Sequence, residues 1–501
     1  MPPCISRIAL GESFALVCLL FTSPALASAQ DSPGSSLPAP EAYVDRSEYF
    51  TQVTDDAVGR VWKTGPQELP PIESIVSAPA GEYPVYGIYC WGGEFTRAHE
   101  EILKMGFRSA RLSGPWNESE EALKIAAREG IDVLYTVVNA QRRVAQRGWK
   151  RSDFESDEAY INDFLETTVE FLEKYGPDGS LFKGTELKST VSVIEVLNEP
   201  NFHYMIPDRE PVAEVFAERF SLYGRLLAKA IPVIREKAPS IKIAAFSAGG
   251  GGPIVADVPL VEAVTADFPD IHQKYDIFTT HPYMQGAPPE VFKIKKWGPR
   301  AMSQNQVTLR EIFAKGGAAE KPIWFSELGF PVYKATGGRF DMPVNSAVFR
   351  ITPDIQAAYI VRQYLWAMRL GVGRVHLMSL FDTDNFNSGI LIREDLAWRP
   401  AAHAIKNLTT LLPNPKMLAA ISDGENDTYI YRFHADHKDA NSPEVVVAWN
   451  VNGPTSVEIP SDAKSVTAFD LIGNEKSLPV ADGKTSVTIG PFPIFLRAAR
   501  S

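Results

Sequence analysis

The sequence predicts a (β/α)8 barrel followed by a small antiparallel β-sandwich. Three observations carry this. Between residues 83 and 413, short apolar runs recur near positions 86, 110, 134, 195, 244, 278, 325 and 377, and strand alternates with helix throughout. Two of the runs end in a carboxylate close to a chain breaker, Glu199 directly before Pro200 and Glu327 two residues before Gly329, as befits the carboxyl end of a buried parallel strand. After about residue 413 the pattern changes to short alternating runs divided by Gly, Asn, Asp and Pro, which is the texture of an antiparallel sandwich.

The elements follow in order. Residues 1–29 read as a secretory leader: Arg7 supplies positive charge, Ser13 to Thr22 is almost wholly apolar, and Ala25-Leu26-Ala27 or Ala27-Ser28-Ala29 fits the small-residue cleavage pattern. The expectation is a secreted or periplasmic protein with no membrane span in the mature chain. Residues 30–41 are a Pro/Ser linker, and 42–82 form an N-terminal extension with room for one or two strands. The barrel, 83–413, starts with a strand over Tyr83–Trp91 and a helix over Thr96–Lys104. A strand at Ser109–Ser113, a helix at Ser119–Arg128 and a strand at Ile131–Asn139 come next, then a long amphipathic helix at Asp157–Tyr175. Val191–Asn198 is a strand, Val212–Lys237 a helix, and Ile241–Phe246 and Asp276–His281 are strands. Val307–Lys315 is helical, Ile323–Glu327 a strand, Pro353–Leu370 helical and Arg374–Leu380 the eighth strand. In 414–501, strands are expected at Thr428–His434, Glu444–Asn450, Ser456–Ile459, Ser465–Asp470, Thr485–Ile489 and Pro493–Ala498.

Composition excludes some functions. A chain of 501 residues with a net charge of -11 lacks the basic face that phosphate neutralisation needs, so a nucleic-acid partner is not expected. Of three cysteines, Cys4 and Cys18 leave with the leader, and Cys90 alone has no disulfide partner. It reads as a buried small hydrophobe rather than a nucleophile. The glycine cluster Gly249–Gly252 lacks a P-loop's spacing and its Lys-Ser/Thr, so it reads as a βα loop. No Gly-x-Ser-x-Gly, His-Glu-x-x-His or paired Cys-x-x-Cys occurs. Asp382, Asp384 and Asn387 depart from calcium-loop spacing. No cofactor is called for.

The chemistry lies in two carboxylates. Glu199 closes Val191-Ser192-Val193-Ile194-Glu195-Val196-Leu197-Asn198-Glu199-Pro200, and Glu327 closes Ile323-Trp324-Phe325-Ser326-Glu327-Leu328-Gly329. Cleaving a glycosidic bond needs one carboxylic acid to protonate the leaving oxygen and a second carboxylate to attack the anomeric carbon or activate water. Strand alternation places Trp324, three residues before Glu327, on the opposite face under the helices. Glu195 points into the barrel or pairs with an arginine.

On Asn198-Glu199-Pro200, Ser326-Glu327-Leu328-Gly329, Arg111 at the end of strand two and His281-Pro282-Tyr283 at the end of strand six, the chain resembles the clan of retaining (β/α)8 glycoside hydrolases, and within it family 39 or a relative. The resemblance spans residues 83–413. It implies that Glu199 is the acid/base, Glu327 the nucleophile, and Asn198 a partner of the sugar 2-hydroxyl. It also implies that Arg111 holds Glu327 ionised, that Tyr283 bonds Glu327, and that His281 faces the sugar or the acid/base. Where the clan often carries a tryptophan after strand eight, this chain has Phe381. Trp91, Trp116 and Phe381, with His203, Tyr204, Trp297 and Tyr333, are candidate sugar contacts. The expected partner is an oligo- or polysaccharide, with sugar identity left to loops such as 141–156 and 331–350. A non-catalytic carbohydrate-binding barrel and a transglycosylase are the rival readings. Glycan binding without product, or transfer products at high acceptor concentration, distinguishes them.

Overall fold

The computed structural model describes residues 69–77, 85–139, 141, 150–201, 213–249, 257–284, 287–291, 302–332, 351–383 and 387–498. The leader, the linker and most of the 42–82 extension lie outside these, as do His203, Tyr204, Trp297 and Tyr333. Eight parallel strands close a barrel in sequence order: β1 Tyr86–Trp91, β2 Ser109–Ser113, β3 Asp132–Val137, β4 Val191–Val196, β5 Lys242–Gly249, β6 Ile277–His281, β7 Ile323–Leu328 and β8 Arg374–Leu377. The circle is completed by β1 pairing with β8.

Helices pack around the strands. After a short α1 (Ile72–Ser77), α2 (Gly92–Lys104) buries Phe95, Ala98 and Ile102 on one face, with Glu94 in its first turn and Lys104 in its last to suit the helix dipole. α3 (Trp116–Glu129) ends at Gly130, whose φ of 65° requires a residue without a Cβ penalty. α4 (Asp157–Tyr175) is capped by Ser156, whose side chain accepts from Ala159 N. α5 (Ala213–Lys237), α6 (Asp257–Asp267), α7 (Met302–Lys315), α8 (Pro353–Arg369) and α9 (Pro400–Leu411) follow. α8 starts with a Thr352 cap and Pro353 in its first turn, and it is buried from Ile355 through Arg369 because it lies between barrel and second domain.

The second domain holds a six-stranded antiparallel sheet, in the order β14-β13-β16-β11-β10-β9, and a two-stranded sheet of β12 and β15. These strands are β9 Lys416–Asp423, β10 Thr428–His434, β11 Glu444–Asn450, β12 Thr455–Pro460, β13 Ser465–Phe469, β14 Glu475–Pro479, β15 Lys484–Ile489 and β16 Ile494–Ala498. Strand alternation divides the larger sheet. Tyr429, Tyr431, Phe433, Val447 and Trp449 join the barrel's core, whereas Ile430, Ala448 and Leu496 meet Ile459, Val487 and Ile489 of the small sheet.

Besides α9 and β9, which the sequence reading did not place, four differences from it have physical reasons. The extension holds the helix α1 rather than a strand at 72–77, and Arg369 Nη1 donates to Pro70 O beside it (2.7 Å). α6 has no clear polar stripe, since Val258, Leu260, Val261 and Val264 are all buried, so it carries little amphipathic signal. β14 is a mostly exposed, charged edge strand with little apolar alternation. Trp324 does not lie under the helices. It is buried in the barrel interior with Leu134, Val193, Ala244 and Ile277, its ring 4.2 Å from the Arg374 guanidinium. The pairing of β7 with β8 slips between Phe325 and Leu328, and this irregularity lets Trp324, Ser326 and Glu327 all serve the barrel lumen.

Candidate active site

Glu199 and Glu327 meet at the carboxyl end of the barrel. Glu199 lies three residues past β4, where Leu197 (φ 65°) and Glu199 (φ 41°) both take the left-handed backbone region. Such conformations cost about 1–3 kcal/mol each and persist only where surroundings fix them. Here Glu199 N donates to Ser247 O at 2.9 Å, locking the turn onto β5. The turn brings Asn198 and Glu199 to the same mouth, which straight strand geometry forbids for successive residues. Asn201 completes the tie, with its amide donating to Gly249 O (2.9 Å) and its carbonyl accepting from Gly249 N (3.0 Å).

Arg111, rooted in β2, is the hub. Its Nη1 donates to Glu327 Oε1 (2.6 Å), its Nε to Glu195 Oε2 (2.7 Å) and its Nη2 to Asn198 Oδ1 (2.6 Å). The guanidinium lies 4.9 Å from the Tyr89 ring centroid. Burial alone would lower the pKa of Arg111, but Glu195 and Glu327 outweigh it and hold the guanidinium charged. Glu195, fully buried, also accepts from Thr136 Oγ1 (2.8 Å). Burial raises its pKa, yet Arg111, with help from His281, Ser326 and Thr136, brings the carboxyl below its ordinary range. Tyr283 O–H donates to Glu327 Oε2 (2.8 Å) and lies 2.6 Å from Met378 Sδ. Burial, followed by the nearby carboxylates, pushes the phenol pKa far up, so Tyr283 stays a donor at neutral pH.

His281 serves Glu199. Its Nδ1 lies 3.0 Å from Glu199 Oε1, and its Nε2 lies 3.0 Å from both the Ser247 and Ser326 hydroxyls. Glu199, His281 and Glu327 each place one ligand-type atom within 4.8 Å of the others. One of these carboxylates already has a cationic partner, since Arg111 Nη1 lies 2.6 Å from Glu327 Oε1. The two carboxylates differ in surroundings: Glu327 bonds a guanidinium and a phenol, Glu199 an imidazole.

Seven of the residues singled out in the sequence converge here or at the rim: Glu199, Glu327, Asn198, Arg111, His281, Tyr283 and Trp91, the last at the end of β1 with its ring against Gly114, where an added Cβ would come within 2.8 Å. Two do not. Trp116 packs among Phe171 and Tyr175 in the helical layer, with ring centroids at 6.2 and 5.8 Å. Phe381 is fully buried, with the Arg393 guanidinium 4.6 Å from its ring centroid, so it offers no exposed face to a sugar. Cys90 is buried and its thiol pKa is raised, first by that burial, which makes it a poor nucleophile. Sequence reasoning missed Ser247, Thr136 and Met378, which carry no local signature, and quoted Ser326 only as part of the Glu327 motif. It set Glu195 aside, although its position four residues before Glu199 on an inward-facing strand was a signal.

No protein-family model matches the sequence, and no curated protein does. Solved structures do match in fold. A family 39 glycoside hydrolase from the gut symbiont Bacteroides cellulosilyticus is 20% identical, with a TM-score of 0.58 over 83% of this chain and 80% of that one. An α-L-arabinofuranosidase of family 51 from Thermotoga petrophila is 11% identical, with a TM-score of 0.56 over 85% and 98%. A monomeric β-xylosidase from Caulobacter crescentus is 15% identical, with a TM-score of 0.51 over 85% and 98%. The protein is therefore a (β/α)8 barrel with a following β-sandwich, an architecture it has in common with these glycoside hydrolases. No helix among the described residues is long and apolar enough to cross a membrane.

Proposed function

We propose that the protein is a retaining glycoside hydrolase that cleaves a β-linked bond in an oligo- or polysaccharide. The observation that carries this reading is the pair of buried carboxylates at the ends of β4 and β7, with an oxygen of each within 4.8 Å. Retaining enzymes hold their two carboxyl groups about 5–5.5 Å apart, whereas inverting enzymes leave about 6.5–9.5 Å for a water. In the first step Glu327 attacks the anomeric carbon while Glu199 gives its proton to the leaving oxygen. In the second step Glu199 takes a proton from water, which displaces Glu327. Arg111 and Tyr283 hold the attacking carboxylate in place, and His281 orients Glu199. Asn198, beside Glu327 through their shared Arg111, is placed to bond the sugar 2-hydroxyl. The fold likeness to a family 39 enzyme agrees with this reading. The leader-like residues 1–29 support action outside the cytoplasm.

Two variants test it on aryl β-glycosides. Glu327→Gln should lose at least about 10³-fold in kcat, an effect on the scale of a lost nucleophile. Glu199→Gln should spare substrates with acidic phenol leaving groups in the first step and fail on alkyl ones. Near-normal turnover by Glu327→Gln overturns the assignment.

A further inference from the structure

A buried polar cluster away from the carboxylates joins the two domains. The side chains of Glu290 and Arg362 are both completely buried. Glu290 Oε1 accepts from Arg362 Nε (2.8 Å) and Trp449 Nε1 (2.9 Å), and its Oε2 accepts from Arg362 Nη2. Arg362 Nη1 donates onward to Pro491 O (3.3 Å). Arg362 belongs to α8, Trp449 to β11, and Pro491 to the turn before β16, so three of the four partners meet at the seam between barrel and sandwich. A buried ion pair contributes little net stability over an apolar set of the same shape, because desolvation offsets attraction. Its distinctive property is geometric: a forked pair fixes where Glu290 sits.

Glu290 lies in the segment after β6 that begins with His281 and Tyr283. Backbone bonds tie its described residues: Tyr283 N donates to His281 O (2.9 Å), Ala287 N to Met284 O (2.9 Å) and Val291 N to Pro288 O (3.2 Å). Its described part from Met284 to Val291 is buried. The same face of α8, one turn earlier, holds the segment after β7, and the Arg362 guanidinium lies 4.9 Å from the Tyr359 ring centroid. Gln356 Nε2 donates to Phe330 O (2.8 Å), and the Tyr359 ring meets Phe330 edge-on at 5.6 Å. Phe330 is three residues beyond Glu327. One helix thus carries, at successive turns, the supports for both segments that supply Glu327 and its phenol partner, and Arg362 is the point where the sandwich reaches them.

We propose that the β-sandwich is a positioning element of the active site, in which Trp449 and Arg362 fix Glu290 and thereby hold Tyr283 against Glu327. Trp449, Arg362 and Glu290 act through Tyr283 and touch no substrate. The kinetic part of this inference rests on the hydrolase reading, whereas the structural part does not.

The test is Trp449→Phe in the full chain, which removes the N–H bound to Glu290 and keeps a ring on Tyr429, where the indole now stacks at 5.3 Å. Hydrogen exchange in peptides covering 281–291 should accelerate about tenfold, as local opening becomes easier. On an aryl glycoside that the wild type cleaves, kcat should fall about tenfold with KM within about twofold. In a Tyr283→Phe background the same change should cost less than about twofold, since coupled residues are not additive. Unchanged exchange in 281–291 beside a lowered melting temperature overturns the proposal, and so do Trp449→Phe and Tyr283→Phe effects that multiply. Glu290→Gln repeats the test should Trp449→Phe not fold. A wild type that cleaves no glycoside sinks the hydrolase reading alone, and the exchange measurement then decides the structural claim by itself.

Discussion

Arg111 shows how one residue sets the character of the site. A planar guanidinium reaches Glu195, Glu327 and Asn198 at once, each at 2.7 Å or less. A lysine ammonium keeps the charge but cannot form that fork. Arg111→Lys should therefore lower kcat/KM about 100-fold, equivalent to losing about 3 kcal/mol of transition-state stabilisation, measurable on any cleaved aryl glycoside. Glu195 carries a stability signature. Because its folded pKa lies below the ordinary carboxylate value, its contribution is complete above about pH 4.5 and is lost as pH falls through the lowered value. Glu195→Gln should flatten acid unfolding below pH 4.5 while lowering stability at neutral pH by about 3 kcal/mol, the range for breaking a buried pair. The two strand-end glutamates were legible in sequence because each closes an apolar run beside a chain breaker, Pro200 directly after Glu199 and Gly329 one residue beyond Leu328. Glu195 was harder to weigh, since a lone acid inside a strand has no partner visible in the linear sequence.

At the scale of elements, the turn between α6 and β6 makes a pH-dependent contribution. His272 is buried, with ring nitrogens 2.7 Å from Thr265 Oγ1 and 2.8 Å from Tyr275 Oη. Burial, and then nearby Lys321, lowers its pKa to about 4. The unfolded chain takes up that proton near pH 6.5 and the folded chain does not, so stability falls as pH drops from 6.5 towards 4. His272 should account for about 2 kcal/mol of the stability lost between pH 7.5 and 5. Urea unfolding of His272→Gln, less stable at pH 7.5, should show a correspondingly shallower dependence. Within the barrel, eight strands and six helices were readable from period and length, because strand and helix differ most in long patterned stretches. The facing of Trp324 was not, because a slipped pairing between β7 and β8 breaks the alternation on which the inference rested.

At the scale of the molecule, barrel and sandwich share one core. Trp366 of α8 meets Tyr429 of β10 edge-on at 5.5 Å, and Tyr429 stacks on Trp449. Arg369 Nε also donates to Asp423 of β9 at 2.8 Å. Trp366→Ala should cost about 3–5 kcal/mol, the range for emptying a buried aromatic site, and calorimetry should still show a single transition because the two domains unfold together. Two separate transitions would mean independent domains. The order of domains was legible from the change in sequence period near residue 413. The seam was not, because Glu290, Arg362 and Trp449 are scattered over 160 residues and only the folded chain brings them together.

The central claim, double displacement by Glu327 and Glu199, is tested most directly by the anomeric configuration of the first-formed sugar. Proton NMR during early hydrolysis of an aryl β-glycoside, before mutarotation, reads it. A β-configured product is the expected result. An α-configured first product would mean a single displacement by water, and Glu327 would then be a base rather than a nucleophile.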